Sequence, residues 1–192
     1  MKKFALALSM LALSACATAR APSPQAVFFA RLSALCGQAF AGGLVIEDAR
    51  DADMAGQTLV MHVRDCSAEE IRIPFNVGDN RSRTWVITRT AGGLRLKHDH
   101  RHDDGGEDAL TQYGGDTIDG GTPQRQAFPA DDFSRQLFTE RNIPASIANV
   151  WAVEIAPGRL FSYELRRPDR YFRVEFDLTR PVPTPPPSWG AR

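Results

Sequence analysis

An excess of charge of either sign is missing from this chain: 23 Lys and Arg balance 23 Asp and Glu over 192 residues, for a formal net charge of zero. Nucleic-acid binding needs a cationic surface against the phosphates, so nucleic acid is set aside as a partner. The chain has no Gly-x-Ser-x-Gly elbow and no P-loop, and the glycine pairs at 42–43 and 92–93 do not make a dinucleotide fingerprint. The Gly- and acid-rich stretch from Asp103 to Gly121 lacks the Asp-x-Asp-x-Asp-Gly spacing with a distal Glu that an EF-hand loop needs. Its Gly pairs beside Asp read as turns. Histidine is scarce, with four residues, and cysteine scarcer, with three.

What is present is ordinary for a globular protein with a core: 43% hydrophobic and 24% charged residues, in a length that suits one domain. The apolar run from Phe4 to Leu13, preceded by Lys2 and Lys3, is too short to span a bilayer and reads as a signal peptide over residues 1–15. Its end, Leu13-Ser14-Ala15-Cys16, resembles the lipobox of bacterial lipoproteins. The resemblance implies cleavage before Cys16, a thioether diacylglycerol on that cysteine and an acylated amine. Several acyl chains anchor stably where one would be marginal. Ala17 is not the aspartate that retains such proteins in the inner membrane. The implied location is therefore the periplasmic face of the outer membrane.

In that oxidising compartment Cys36 and Cys66 are left as an even pair, and a disulfide between them is expected. A loop of this size would contribute about 3–4 kcal/mol in the chain-entropy picture. Two buried free thiols are the alternative. No cysteine then remains for a thiolate metal site or a nucleophile.

After a tether at 16–23, Ser23 and Pro24 predict a helix start. Phe29, Leu32, Cys36 and Phe40 share one helical face, and Gly42-Gly43 predicts the stop. Beyond it the apolar period becomes two. Leu59, Met61 and Val63 alternate with Val60, His62 and Arg64, and Ile71, Ile73, Phe75 and Val77 share a face. The segment "RTWVITRTAGGLRLKHDH" predicts a hairpin turning at Gly92-Gly93, and residues 149–179 predict three strands with turns at Pro157-Gly158 and Arg167-Pro168-Asp169. A second, short helix is expected near 131–141, with Phe133 and Leu137 four apart. The prolines from Pro181 to Pro187 predict an extended, disordered tail over 180–192.

One-sided alternation in about eight short strands predicts a mainly β domain over 24–179, an antiparallel meander with one wet face. Curling into a barrel would remove sticky edges. The layout resembles a lipocalin-like barrel, although no opening Gly-x-Trp is present; a sandwich is the competing architecture.

The chemically suggestive stretch is "LRLKHDHRHDDGGED", Leu94 to Asp108. Its His98-to-His102 run is similar to one in uncharacterised secreted bacterial proteins, a family that implies no known chemistry. The pleat puts His98, His100 and His102 on the side of Leu94 and Leu96, with Arg95, Lys97, Asp99 and Arg101 opposite. His-x-His can offer two imidazoles to one metal. Three in a row would be strained, because the outer two are about 13 Å apart at Cα while zinc–nitrogen bonds are about 2 Å. A metal would need another partner, and His62 is the one other histidine. The same pattern fits strand-end histidines bonded to neighbours or water, or a proton-transfer or ligand-contact role. Arg166, Arg167, Arg170 and Arg173 could meet an anionic headgroup or line a solvated hairpin, since Glu164, Asp169 and Glu175 interleave with them. Trp85, Trp151, Phe161 and Tyr163 read as core.

These observations predict an outer-membrane lipoprotein that holds a small apolar or amphipathic ligand inside a barrel, with no cofactor required. A metal-binding or enzymatic protein built on the histidines is one alternative, and an envelope scaffold is another. No feature of the sequence sets an oligomeric state.

Overall fold

The computed structural model describes residues 21–45 and 48–191. The expected signal peptide, Cys16 and the tether up to residue 20 lie outside the described residues.

The first element is helix α1, Pro24–Ser33. Ser23 caps it, its Oγ accepting from the Ala26 N–H at 3.1 Å, and Pro24 occupies the first turn, where a missing N–H costs nothing. The helix ends at Ser33, earlier than the glycine pair predicted. Cys36 lies in the following turn and Phe40 in strand β1, Ala39–Leu44. The reason is competition from the sheet. Gly37, at φ +80°, donates its N–H to Val63 O at 2.7 Å, and the Val63 N–H donates back to Gln38 O at 3.0 Å. Gly42 is part of β1 because two backbones meet there: a Cβ would lie 2.1 Å from the Glu175 carbonyl oxygen.

Ten further strands follow: β2 Leu59–His62, β3 Asp65–Cys66, β4 Glu70–Val77, β5 Asn80–Thr90, β6 Gly93–His100, β7 Tyr113–Asp116, β8 Arg125–Pro129, β9 Val150–Ala156, β10 Leu160–Arg167 and β11 Arg170–Val182. Helix α2, Asp132–Glu140, separates β8 from β9. The strands form one antiparallel sheet in the order β7-β6-β5-β4-β2-β1-β11-β10-β9-β8, with β3 paired to β4 off this path. It is a meander whose first and last strands pair with each other, curled until β7 approaches β8, so the sheet is nearly closed into a barrel.

The β7–β8 seam is held by polar groups. The Asp131 N–H donates to Gly114 O at 3.0 Å. Ser134, buried on α2, accepts from the Gly114 N–H at 2.7 Å. Asp131 also caps α2 through the Ser134 N–H and pairs with Lys97 of β6 at 2.6 Å. Gly115 permits the close approach to β8, since a Cβ there would fall 1.8 Å from Pro129 O, and Gly114 lets β7 sit against β6, where a Cβ would fall 1.9 Å from Leu96 O. The inward face of α2 is thus Ser134 and Phe138, while Phe133 is exposed under the Lys97 ammonium.

Inward-facing residues fill the lumen, among them Met61, Ile73, Ile87, Leu96, Ile155 and Phe176, all with no exposed surface. Phe28, Phe29 and Leu32 of α1 plug one end of the barrel, and burial of such side chains contributes about 1.5–3 kcal/mol each. Gln25 fastens the helix start to Thr117 at 2.8 Å, and Arg89 lies over Phe29 at 4.2 Å. A disulfide joins Cys36 to Cys66, tying the turn after α1 to β3 across a sequence separation of 30.

The Pro-rich segment expected as a disordered tail is held against the barrel instead. Pro181 and Val182 complete β11 and pair with Phe40 and Ala39. Further on, Arg81 donates to Pro187 O, the Trp189 N–H to Arg81 O and Arg64 to Ser188 Oγ, each at 3.0 Å. Proline carbonyls still accept hydrogen bonds, so an extended proline-rich chain can be fastened from outside.

Candidate functional site

The barrel end opposite α1 is open. A cavity of about 420 Å³ lies there, lined by strand ends, by α2 and by the turns around Asp51 and Ser146. Its floor is aromatic. Phe75 stacks on Trp85 with ring centroids 4.7 Å apart and planes 13° apart, and Trp85 stacks on Tyr163 at 4.5 Å and 20°. Trp85 is on β5 and Tyr163 on β10, which the strand order puts on opposite sides of the barrel. The stack therefore crosses the lumen and separates a filled core from an open mouth. Trp85, Trp151 and Tyr163 are both core and cavity wall.

His98 is buried beside this floor. Its Nδ1 lies 3.0 Å from Tyr113 O, and its Nε2 2.6 Å from Tyr163 OH. A carbonyl oxygen only accepts, so Nδ1 carries the proton and Nε2 accepts from the tyrosine hydroxyl. Burial first, then the neighbouring His100, pushes the His98 pKa down to about 3, so the ring is neutral. Both nitrogens are engaged, and the Tyr113 ring stacks on the imidazole at 4.5 Å. His100, two residues on, also lines the cavity, with Nε2 3.4 Å from Tyr113 OH. Burial and then the Arg83 guanidinium push its pKa down to about 4. Burial likewise raises the Tyr113 hydroxyl to about 12. The site thus offers neutral imidazole and phenol groups.

The other two histidines lie elsewhere. His102 is past the end of β6, exposed, with Nε2 3.9 Å from Asp108 Oδ2. His62 sits on the outer face of β2, because Met61 and Val63 on either side of it point inward. Partial burial and then Arg64 lower its pKa. The grouping of His62 with the β6 histidines is therefore corrected by the pleat of β2. Among the described residues no three His, Cys, Asp or Glu side chains sit together to hold a metal ion. Acids of the Gly-rich stretch cap turns or pair with arginines: Asp104 accepts from the Gly106 N–H at 2.7 Å and Asp119 from the Gly121 N–H at 2.9 Å, while Asp116 pairs with Arg95 and Glu107 with Arg101.

Three arginines line the mouth: Arg83, Arg167 and Arg170. Arg170 is buried and paired with Asp51, and lies 3.1 Å from Asp48. Arg167 reaches Asp169 at 3.2 Å and Ser146 Oγ at 3.0 Å. The arginines grouped in the sequence around the β10–β11 turn are divided by the pleat. Arg173 points outward into a network with Glu154, Glu164 and Glu175, and Arg166 covers Tyr171.

Several cavity residues carried no flag in the sequence. Arg83 had a signal, since it sits two residues before Trp85 on the inward side of a strand. Tyr113 had none: its strand is four residues long with two glycines, too short and too bare to alternate. Asp51 lies in a three-residue helical turn outside any periodic pattern. No protein-family model, curated protein or solved structure shows significant similarity to the chain. The chemistry of the site is accordingly read from its own residues.

Proposed function

We propose that this protein is a lipid-anchored binding protein of the periplasmic face of the outer membrane, and that its barrel mouth holds a small apolar or amphipathic molecule. The observation that carries the binding reading is the cavity itself. Its 420 Å³ lies within the range of roughly 300–1,000 Å³ typical of small-molecule sites, mostly apolar with a few convergent polar groups. The barrel below it is packed and its other end is plugged, so the ligand enters and leaves by one route.

The envelope reading rests on the lipobox ending at Cys16. Ser23 and Gln25 lie beside the β5–β6 turn, at the plugged end. An anchor preceding them would attach on the side of the barrel opposite the mouth. A ligand delivered by a soluble partner or by diffusion suits that geometry.

Native mass spectrometry of the protein isolated from its own envelope tests the binding reading. A retained mass lost on collisional activation is expected. A bare mass, with no thermal stabilisation by an extract of the same envelope, overturns it. Cys16→Ser should move the protein from the membrane fraction to the soluble periplasm; persistence at the membrane refutes the anchor.

A further inference from the structure

The binding reading leaves open what kind of molecule the mouth selects, and the inference here rests on that reading. The lining holds three cations and two anions, but their charges are not equally free. Asp51 is paired with Arg170, which Asp48 also approaches. Asp108 accepts from the Leu110 N–H at 2.7 Å and turns its other oxygen toward His102. Arg167 is held by Asp169, Ser146 and Asn149.

Arg83 differs. Among the described residues its nearest carboxylate is Asp53, 3.7 Å away and itself 62% exposed. Its hydrogen bonds, to Asn80 Oδ1 at 3.3 Å and Ser82 Oγ at 3.5 Å, are long. Arg83 pairs across the strands with His100 and lines the same cavity as the aromatic floor. Its side chain is 22% exposed, so water through the mouth is what now solvates the charge.

A neutral occupant would displace that water and leave the guanidinium covered with only the exposed Asp53 carboxylate, 3.7 Å away, beside it, which is unfavourable. A cationic occupant would meet three arginines. An anion resolves the problem, because a guanidinium presents two parallel N–H donors matched to a carboxylate or another oxyanion. We propose that the ligand is an amphipathic monoanion: an apolar or aromatic body lies on the Phe75–Trp85–Tyr163 floor, and a single carboxylate, sulfonate or phosphodiester group meets Arg83. His100 and the Tyr113 hydroxyl stand beside that group as neutral hydrogen-bonding partners.

The test compares acids with their own amides, which keep the body and remove the charge. The full chain, purified from its envelope, is titrated calorimetrically at pH 7.5 with 1-naphthoate and 1-naphthamide, and with decanoate and decanamide. The acid should bind at least tenfold more tightly than its amide in one series or both, and the stronger series tells whether the body is a ring system or an acyl chain. Arg83→Gln should abolish the preference and Arg83→Lys should keep part of it. Arg81→Gln, on the outer side of the same strand, should leave it intact. Equal affinity of acid and amide on the unaltered protein overturns the anion assignment while the binding reading stands, and that comparison needs no variant to fold. If all four probes fail to bind, the binding reading falls, and this inference with it.

Discussion

Acidification from pH 7.5 to 5.0 should weaken the fold by an amount set by two imidazoles. His98 and His100 are held neutral by burial, with pKa values of about 3 and about 4, whereas an unfolded histidine titrates near 6.5. Between those values the unfolded chain binds more protons than the folded one, so stability rises with pH and is lost as pH falls below about 6.5. At pH 5.0 the unfolded rings are almost fully protonated and both folded rings remain neutral. Each histidine then forfeits about 2 kcal/mol, and the pair about 4 kcal/mol, a large part of a total stability of about 5–15 kcal/mol. Carboxylates add a smaller background, because unfolded ones stay largely ionised above pH 5 and contribute about 0.1 kcal/mol or less each, about 1.5 kcal/mol at most over all 23, and the double variant below separates it from the histidine share. His62 shifts in the same direction, so His62→Gln removes its smaller share.

The assay is urea unfolding followed by tryptophan fluorescence at both pH values with the disulfide intact. The His98→Gln/His100→Gln double variant should be less stable at pH 7.5 and should lose most of the difference between the two pH values. A wild-type difference under about 1 kcal/mol would refute the assignment of both rings as buried and neutral, as would a double variant that retains the whole slope.

Other outcomes follow from single contacts. Tyr163→Phe removes the hydroxyl that donates to His98 Nε2 and leaves a buried nitrogen unsatisfied, so urea unfolding should show a loss of about 1–3 kcal/mol. Gly115→Ala places a methyl group against Pro129 O of β8, and should open the β7–β8 seam, read as faster amide hydrogen exchange at Gly114 and Asp131. Ordinary exchange there would mean the seam tolerates the methyl group. Replacing Cys36 and Cys66 together by Ala should cost about 3–4 kcal/mol in urea unfolding. Alkylation of the unfolded, unreduced protein should label neither cysteine, and two labelled thiols would refute the bridge.

The alternation of apolar residues was enough to orient most of the sheet. Ile71, Ile73 and Phe75 on β4, and Phe172, Val174 and Phe176 on β11, point inward because a period of two leaves one consistent choice of face. The same rule carried His98 and His100 to the interior side, and Ser23-Pro24 set the start of α1 through local capping chemistry.

The end of that helix was not local. Whether residues 34–42 coil or extend depended on Val63 and Glu175, distant in sequence, taking up their backbone groups and space. The cavity, too, belongs to the tertiary structure. Phe75, Trp85 and Tyr163 sit on three strands, and only closure of the sheet stacks them across the lumen into a floor. Arg83 has the same residue type and the same alternation as arginines that are fully paired. Its weaker pairing among the described residues, with Asp53 alone at 3.7 Å, results from which carboxylates the fold brought closer to the other arginines. Pattern along a chain decides which way a side chain points; which side chains it then meets is decided by strand order and closure, and the composition of this site depends on those meetings.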